Sequence, residues 1–210
     1  RGLIVVVSAL GGVTDNLIKI ASLASAHDDE YKKLLDLLVS QHNEAIKKLI
    51  DSKARKTALQ EAQTKYVELS EALQGIYLLG ELSTRALDKI MSFGEQLSAY
   101  IISEAIKDRK ISCQFVDSRF LIKTDNNFGS ANVDIKTTYE LLANYFQLHQ
   151  ELSIMGGFIA STSDEIATTL GRGGSDYTAS LVGAAVNAEV VEIWTDVDGV
   201  MTADPRKVRD

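Results

Sequence analysis

Cysteine and proline are nearly absent from this chain: Cys113 and Pro205 are the only ones in 210 residues. A lone cysteine excludes an intramolecular disulfide and a cysteine zinc cage, and it points to a reducing, cytoplasmic setting. A lone proline leaves few forced breaks, so long helices are expected. Basic charge is scarce as well. Lys and Arg number 22 against 29 Asp and Glu, a formal net charge of −7. That balance argues against nucleic acid as the main partner, because phosphate backbones attract basic surfaces. No apolar run approaches the roughly 18 residues of a membrane helix. Low-complexity segments, Gly/Ser linkers and solenoid repeats are missing too, so the chain reads as a single domain around one core. The opening Arg1-Gly2-Leu3-Ile4-Val5-Val6-Val7 is too short and too β-branched for a signal peptide and reads as a buried strand. With no Met before it, the chain is expected to be part of something longer.

What is present is an alternation of apolar strands and long helices. The first strand runs into Gly11-Gly12-Val13-Thr14-Asp15, a turn that opens a helix carrying Leu17, Ile18 and Ile20. Apolar residues at helical spacing from Tyr31 to Leu49, and again from Leu59 to Ile76, predict an antiparallel helical pair over 31–79. Further helices are expected over 97–106 and 135–149, and short strands over 111–116 and 119–122. A strand over 154–159, a small-residue helix over 177–187 and a strand over 190–194 make a βαβ crossover. The fold class is therefore α/β, a mostly parallel sheet flanked by helices. Ligands in such sheets sit beyond the carboxyl ends of the strands, where Gly171–Asp176 and Thr195–Asp196 fall.

Gly171-Arg172-Gly173-Gly174-Ser175-Asp176 is the richest segment. Its glycines let backbone approach a ligand, and Ser175 and Asp176 open the next helix with its free N–H groups. Arg172 adds a planar fork suited to carboxylate or phosphate. The plain alternative is a turn with Ser175 or Asp176 as N-cap. Neither a Walker A loop nor a Gly-x-Gly-x-x-Gly dinucleotide fingerprint occurs, which counts against a P-loop NTPase and an NAD-dependent enzyme. Ser8–Thr14 is a second strand–glycine–helix junction, either an anion site or a tight turn capped by Thr14. Glu95, in Ser92-Phe93-Gly94-Glu95-Gln96-Leu97-Ser98, reads as a first-turn carboxylate placed for the helix dipole. The carboxylates of Trp194–Arg206 lack calcium-loop spacing, leaving turn chemistry or a nucleotide contact. His27, His42 and His149 read as surface residues, and Cys113 as a small core residue.

Taken in order, these segments resemble the aspartokinase family. The resemblance is carried by Ser8–Asp15, Ser92–Ser98, Thr124-Asp125-Asn126-Asn127-Phe128-Gly129, Gly157-Phe158-Ile159, Thr168–Thr178 and Trp194–Arg206. Leu78-Leu79-Gly80 looks most like forms fused to homoserine dehydrogenase. The resemblance implies the three-layer sandwich of amino-acid kinases and transfer of phosphate from MgATP to the β-carboxylate of L-aspartate. It further implies an aspartate site of Thr14, Glu95, Arg172, Gly173, Gly174 and Ser175. Ser8, Thr195, Asp196, Met201 and Arg206 would hold ATP, with Asp176 and Arg172 at the reacting centre. Mg²⁺ would be held mainly by the ATP phosphates rather than by a protein cage. A homodimer is expected of the parent protein. The family's opening Lys-Phe-Gly-Gly-Thr strand, a later ATP segment and the regulatory ACT domains are not in this sequence. Residues 1–210 are thus expected to be a partial catalytic domain with little or no kinase activity. Two other readings stand beside this one: a related kinase acting on glutamate or acetylglutamate, and a non-catalytic binding or dimerisation module.

Overall fold

A computed structural model describes residues 2–51 and 53–194. The chain runs β1 (Ile4–Val7), α1 (Val13–Ser25), α2 (Glu30–Leu49), α3 (Ala54–Leu79), α4 (Thr84–Asp108), β2 (Cys113–Val116) and β3 (Lys123–Thr124). It continues through α5 (Ile135–Leu148), β4 (Leu152–Gly156), β5 (Ile159–Thr162), β6 (Ala167–Thr169) and α6 (Gly174–Ala185). Strands β1, β4 and β2 form a parallel sheet in the order β1-β4-β2, with Val5 opposite Ile154 and Phe115 opposite Ile154 on the other side. A second sheet, β3-β5-β6, pairs β5 parallel to β3 and antiparallel to β6.

Helices cover both faces of the first sheet, in keeping with the continuous apolar sequence Ile4–Val7, whose residues are half-buried in β1. On one face Met155 and Val116 meet Leu142 and Phe146 of α5 and Leu181 and Val182 of α6. On the other lies α4, buried along most of its length, with α1–α3 behind it. The expected α2–α3 pair forms, but it is not a free-standing hairpin. Leu35 and Leu38 of α2 and Leu69 and Leu73 of α3 share one cluster with Leu17 and Ile20 of α1 and Phe93 of α4. Helix starts follow local chemistry where a capping residue is present. Ser83 accepts from the Ala86 N–H at 3.2 Å to open α4, and Asp134 accepts from the Thr137 N–H at 3.1 Å to open α5.

Four expectations are corrected. The run 154–159 is two strands in two sheets, broken at Gly157 and Phe158, whose φ of 63° no strand tolerates. The segment 119–122 is a short 3-10 helix, Ser118–Phe120, because the Asp117 carboxylate accepts from the Arg119 N–H and side chain and closes a turn. Residues 190–194 form no strand: with no partner strand among the described residues, Trp194 stands 89% exposed and Val190 69%. His42 is fully buried rather than on the surface. Its ring Nδ1 donates to the Leu38 carbonyl at 2.8 Å, one turn back, which satisfies one polar atom inside the bundle. His27 is exposed and Cys113 a buried core residue, as expected, while His149 is half-buried.

Candidate active site

The carboxyl ends of β1 and β4 and the turns that follow them frame a cavity of about 460 Å³. Ser8, Gly11, Gly12 and Thr14 line it from the β1–α1 turn, Glu95 from α4, and Phe158 and Gly171–Asp176 from the opposite wall. Every residue that the resemblance assigns to an aspartate site is therefore brought to one space.

Two helices begin there. Gly12, with φ 76°, precedes α1, and Gly173, with φ 73°, precedes α6; neither helix start receives a side-chain cap. Glycine enters this left-handed region without the cost a Cβ would impose. Thr14, Ser175 and Asp176 are thus not caps, contrary to the turn-and-cap alternative. They sit in the first helical turns and line the cavity. Free N–H groups and the positive ends of two helix dipoles converge on the same volume, a setting suited to anions.

Glu95 is not at a helix mouth. It lies in the middle of α4, where no first-turn dipole accounts for it. It is 3% exposed, Oε1 accepts from the Ala9 N–H at 3.4 Å, and Oε2 is buried with no partner. Burial pushes the carboxyl up to about 7, against the smaller opposing effect of its backbone hydrogen bonds. A buried carboxylate lacking a cation carries a desolvation cost that a cationic partner would offset. Arg172, across the cavity, is exposed, and no carboxylate pairs with it among the described residues.

The walls are held in register by close contacts. Ser8 Oγ donates to Ser175 Oγ at 2.9 Å, tying the β1 turn to the start of α6. A Cβ at Gly157 would lie 2.6 Å from Ser175 Cα, so only glycine lets the end of β4 reach α6 this closely. Phe158 was not singled out as a site residue, yet it lines the cavity and its N–H donates to Thr178 Oγ1 at 3.0 Å. The available signal was the Gly156-Gly157 pair before it, which marks a sharp change of chain direction. Ser8, expected among the nucleotide contacts, is joined here to the aspartate set. Thr195, Asp196, Met201 and Arg206 lie outside the described residues. Among the described residues no group of three or more His, Cys, Asp or Glu could hold a metal ion.

Residues 1–210 match the model of the amino acid kinase family. The chain belongs to that family. Among its curated relatives is the bifunctional aspartokinase/homoserine dehydrogenase 2 of Zea mays, 35% identical over 209 residues. Lysine-sensitive aspartokinase 3 of Escherichia coli is 40% identical over 148 residues, 67% of this chain. The crystal structure of E. coli aspartokinase III in complex with aspartate and ADP superposes with a TM-score of 0.87 at 32% identity, covering 98% of this chain. This amino acid kinase chain spans 23% of the maize relative, 33% of E. coli aspartokinase 3 and 45% of the crystallised chain. The three-layer α/β architecture and the likeness to aspartokinases thus agree with the reading of the sequence. Among the described residues, no helix is long and apolar enough to cross a membrane.

Proposed function

We propose that this chain is part of an aspartate kinase, which transfers the γ-phosphoryl group of ATP to the β-carboxylate of L-aspartate and yields 4-phospho-L-aspartate and ADP. The observation that carries the reading is Glu95, a buried carboxylate with no cationic partner among the described residues, lining the same cavity as Arg172. A free amino acid with two carboxylates needs one anionic anchor for its ammonium and cationic or N–H donors for its carboxylates. Glu95 supplies the first. Arg172, Ser175, Thr14 and the uncapped starts of α1 and α6 supply the second. The aspartate bound to the E. coli relative is in keeping with this assignment.

Phosphoryl transfer to a carboxylate brings two anions together, so positioning and charge neutralisation dominate the chemistry. A carboxylate oxygen forms a bond to the γ-phosphorus as the bond to the β,γ-bridging oxygen breaks, and the bridging oxygen leaves on ADP. The two helix N-termini and Arg172 offer positive field to that reaction, while Asp176 orders the reacting centre. The donor set fits a nucleotide's phosphates better than a bare metal, so Mg²⁺ would arrive with ATP and neutralise the transferred charge. Thr195, Asp196, Met201 and Arg206 complete the ATP site in this proposal, and the parent protein is a homodimer.

Calorimetric titration of the chain with L-aspartate, against L-glutamate and N-acetyl-L-glutamate, tests the reading. Aspartate is expected to bind, Arg172→Ala to abolish binding, and Glu95→Gln to weaken it about 10- to 100-fold, the worth of a hydrogen bond to a charged group. Tighter binding of N-acetylglutamate, which has no ammonium for Glu95, would transfer the assignment to an acetylglutamate kinase. Binding of aspartate is also expected to strengthen from pH 6 to pH 8, as Glu95 gives up its proton near 7.

A further inference from the structure

Asp88 is fully buried on α4, two helical turns before Glu95 and outside the cavity. Its Oδ2 accepts from the Gly129 N–H at 2.9 Å and the Thr169 N–H at 3.1 Å, and its Oδ1 accepts from Thr169 Oγ1 at 2.7 Å. No cation pairs with it among the described residues. Burial raises its pKa in spite of these three donors. A buried carboxylate held only by neutral donors is costly. What the carboxylate does that an apolar group cannot is bind two chain segments at once.

Those segments are the two that carry the Arg172 loop. Thr169 ends β6 and stands three residues before Arg172. Gly129 lies in the turn 127–130 that packs against the loop: the Ala131 N–H donates to the Thr169 carbonyl at 2.9 Å, and a Cβ at Gly171 would lie 3.0 Å from Ser130 Oγ. The loop closes on itself through the Gly174 N–H, which donates to the Gly171 carbonyl at 3.1 Å. One rigid helix therefore bears both Glu95, which lines the cavity, and, about 10 Å along its axis, the carboxylate that anchors the opposite wall.

We propose that Asp88 is a positioning residue that fixes the separation of Glu95 and Arg172, and thereby the length of the amino dicarboxylate that the cavity accepts. This rests on the aspartate reading above. Asparagine can keep all three contacts, with its oxygen facing the two N–H groups and its amide donating to Thr169 Oγ1. Alanine keeps none.

The test compares the whole chain as wild type, Asp88→Asn and Asp88→Ala. Hydrogen exchange is measured without ligand, and calorimetric affinities are measured for L-aspartate and L-glutamate. In Asp88→Ala, exchange at amides 129–131 and 169–174 is expected to rise tenfold or more while α2 and α3 keep their protection. The preference for aspartate over glutamate should fall at least fivefold, and Asp88→Asn should stay within twofold of wild type on both counts. Exchange rising equally through the molecule, or equal losses of affinity for both amino acids, overturns the proposal, because a merely structural residue behaves that way. Should wild type bind neither amino acid, the aspartate reading fails by itself. The exchange pattern then decides whether Asp88 holds the loop. If Asp88→Ala does not fold, Thr169→Val against Thr169→Ser gives the same comparison with one contact removed.

Discussion

Glu95 holds its proton to higher pH in the folded chain than in the unfolded one, since burial lifts its carboxyl from 4.5 to about 7. The folded state therefore binds more protons between those values, and its stability falls as pH rises through them. The full effect is on the order of 3 kcal/mol. Glu95→Gln removes the titration, so the variant is expected to melt higher than wild type at pH 8 and to converge with it below pH 4.5. Thermal unfolding followed across pH checks this, and a variant that melts lower at pH 8 refutes it. His42 acts with the opposite sign. Burial lowers its pKa from 6.5, so the folded state binds fewer protons than the unfolded one. Stability is complete above 6.5 and is lost as pH drops below it. His42→Leu should therefore lose less of its melting temperature between pH 7 and pH 5 than wild type does. Neither residue was legible in the sequence in this respect. A Glu after Ser-Phe-Gly and a His in a polar helical stretch look like surface groups until neighbouring elements bury them.

The helices were the legible elements. Period-3.6 spacing located α2 and α5 to within about two residues and the body of α3, whose ends extend five and three residues beyond the apolar stripe, because that spacing is what buries one stripe of a helix. For α4 the reading found only the C-terminal half: Ile90, Ser92 and Phe93 are all buried, and a helix buried nearly all round has no stripe to detect. Strands suffered from the same cause in reverse. An apolar run such as Ile154–Ile159 does not show where one sheet ends and another begins; the two glycines inside it were the only punctuation. Packing among α1–α4 makes the bundle a single cooperative unit. Leu73 of α3, buried in the cluster shared by all four, should cost about 2–5 kcal/mol as Leu73→Ala. For a chain of this size that is a fall of roughly 5–15 °C in melting temperature by calorimetry.

At the scale of the whole molecule, the aspartate half of the proposed site is contained in the described residues and the nucleotide half is not. The order of motifs along the chain was sufficient to reach the amino acid kinase family, because glycine junctions mark strand–helix turns wherever they fall in a sequence. What the sequence could not show is which elements share a wall. Asp88 and Thr169, separated by 81 positions, meet only in the folded chain, and nothing local marks Asp88. The same holds for Ser8 and Ser175, 167 positions apart.

The exposed Arg172, set among glycines above two uncapped helix starts, also makes this cavity the place where a protease would first gain a hold. Trypsin cleaves after arginine, and glycine-rich loop tips are preferred sites of nicking. Limited digestion of the free chain is expected to cut at Arg172–Gly173 and leave a large N-terminal fragment of residues 1–172. Saturating L-aspartate should shield that bond, since a carboxylate held by the guanidinium and the helix starts covers it. Unchanged cleavage with aspartate present would mean that Arg172 stays in solvent when the ligand binds. The segment that gives the cavity its affinity is thus also its most cleavable point, and occupancy can be read from a gel.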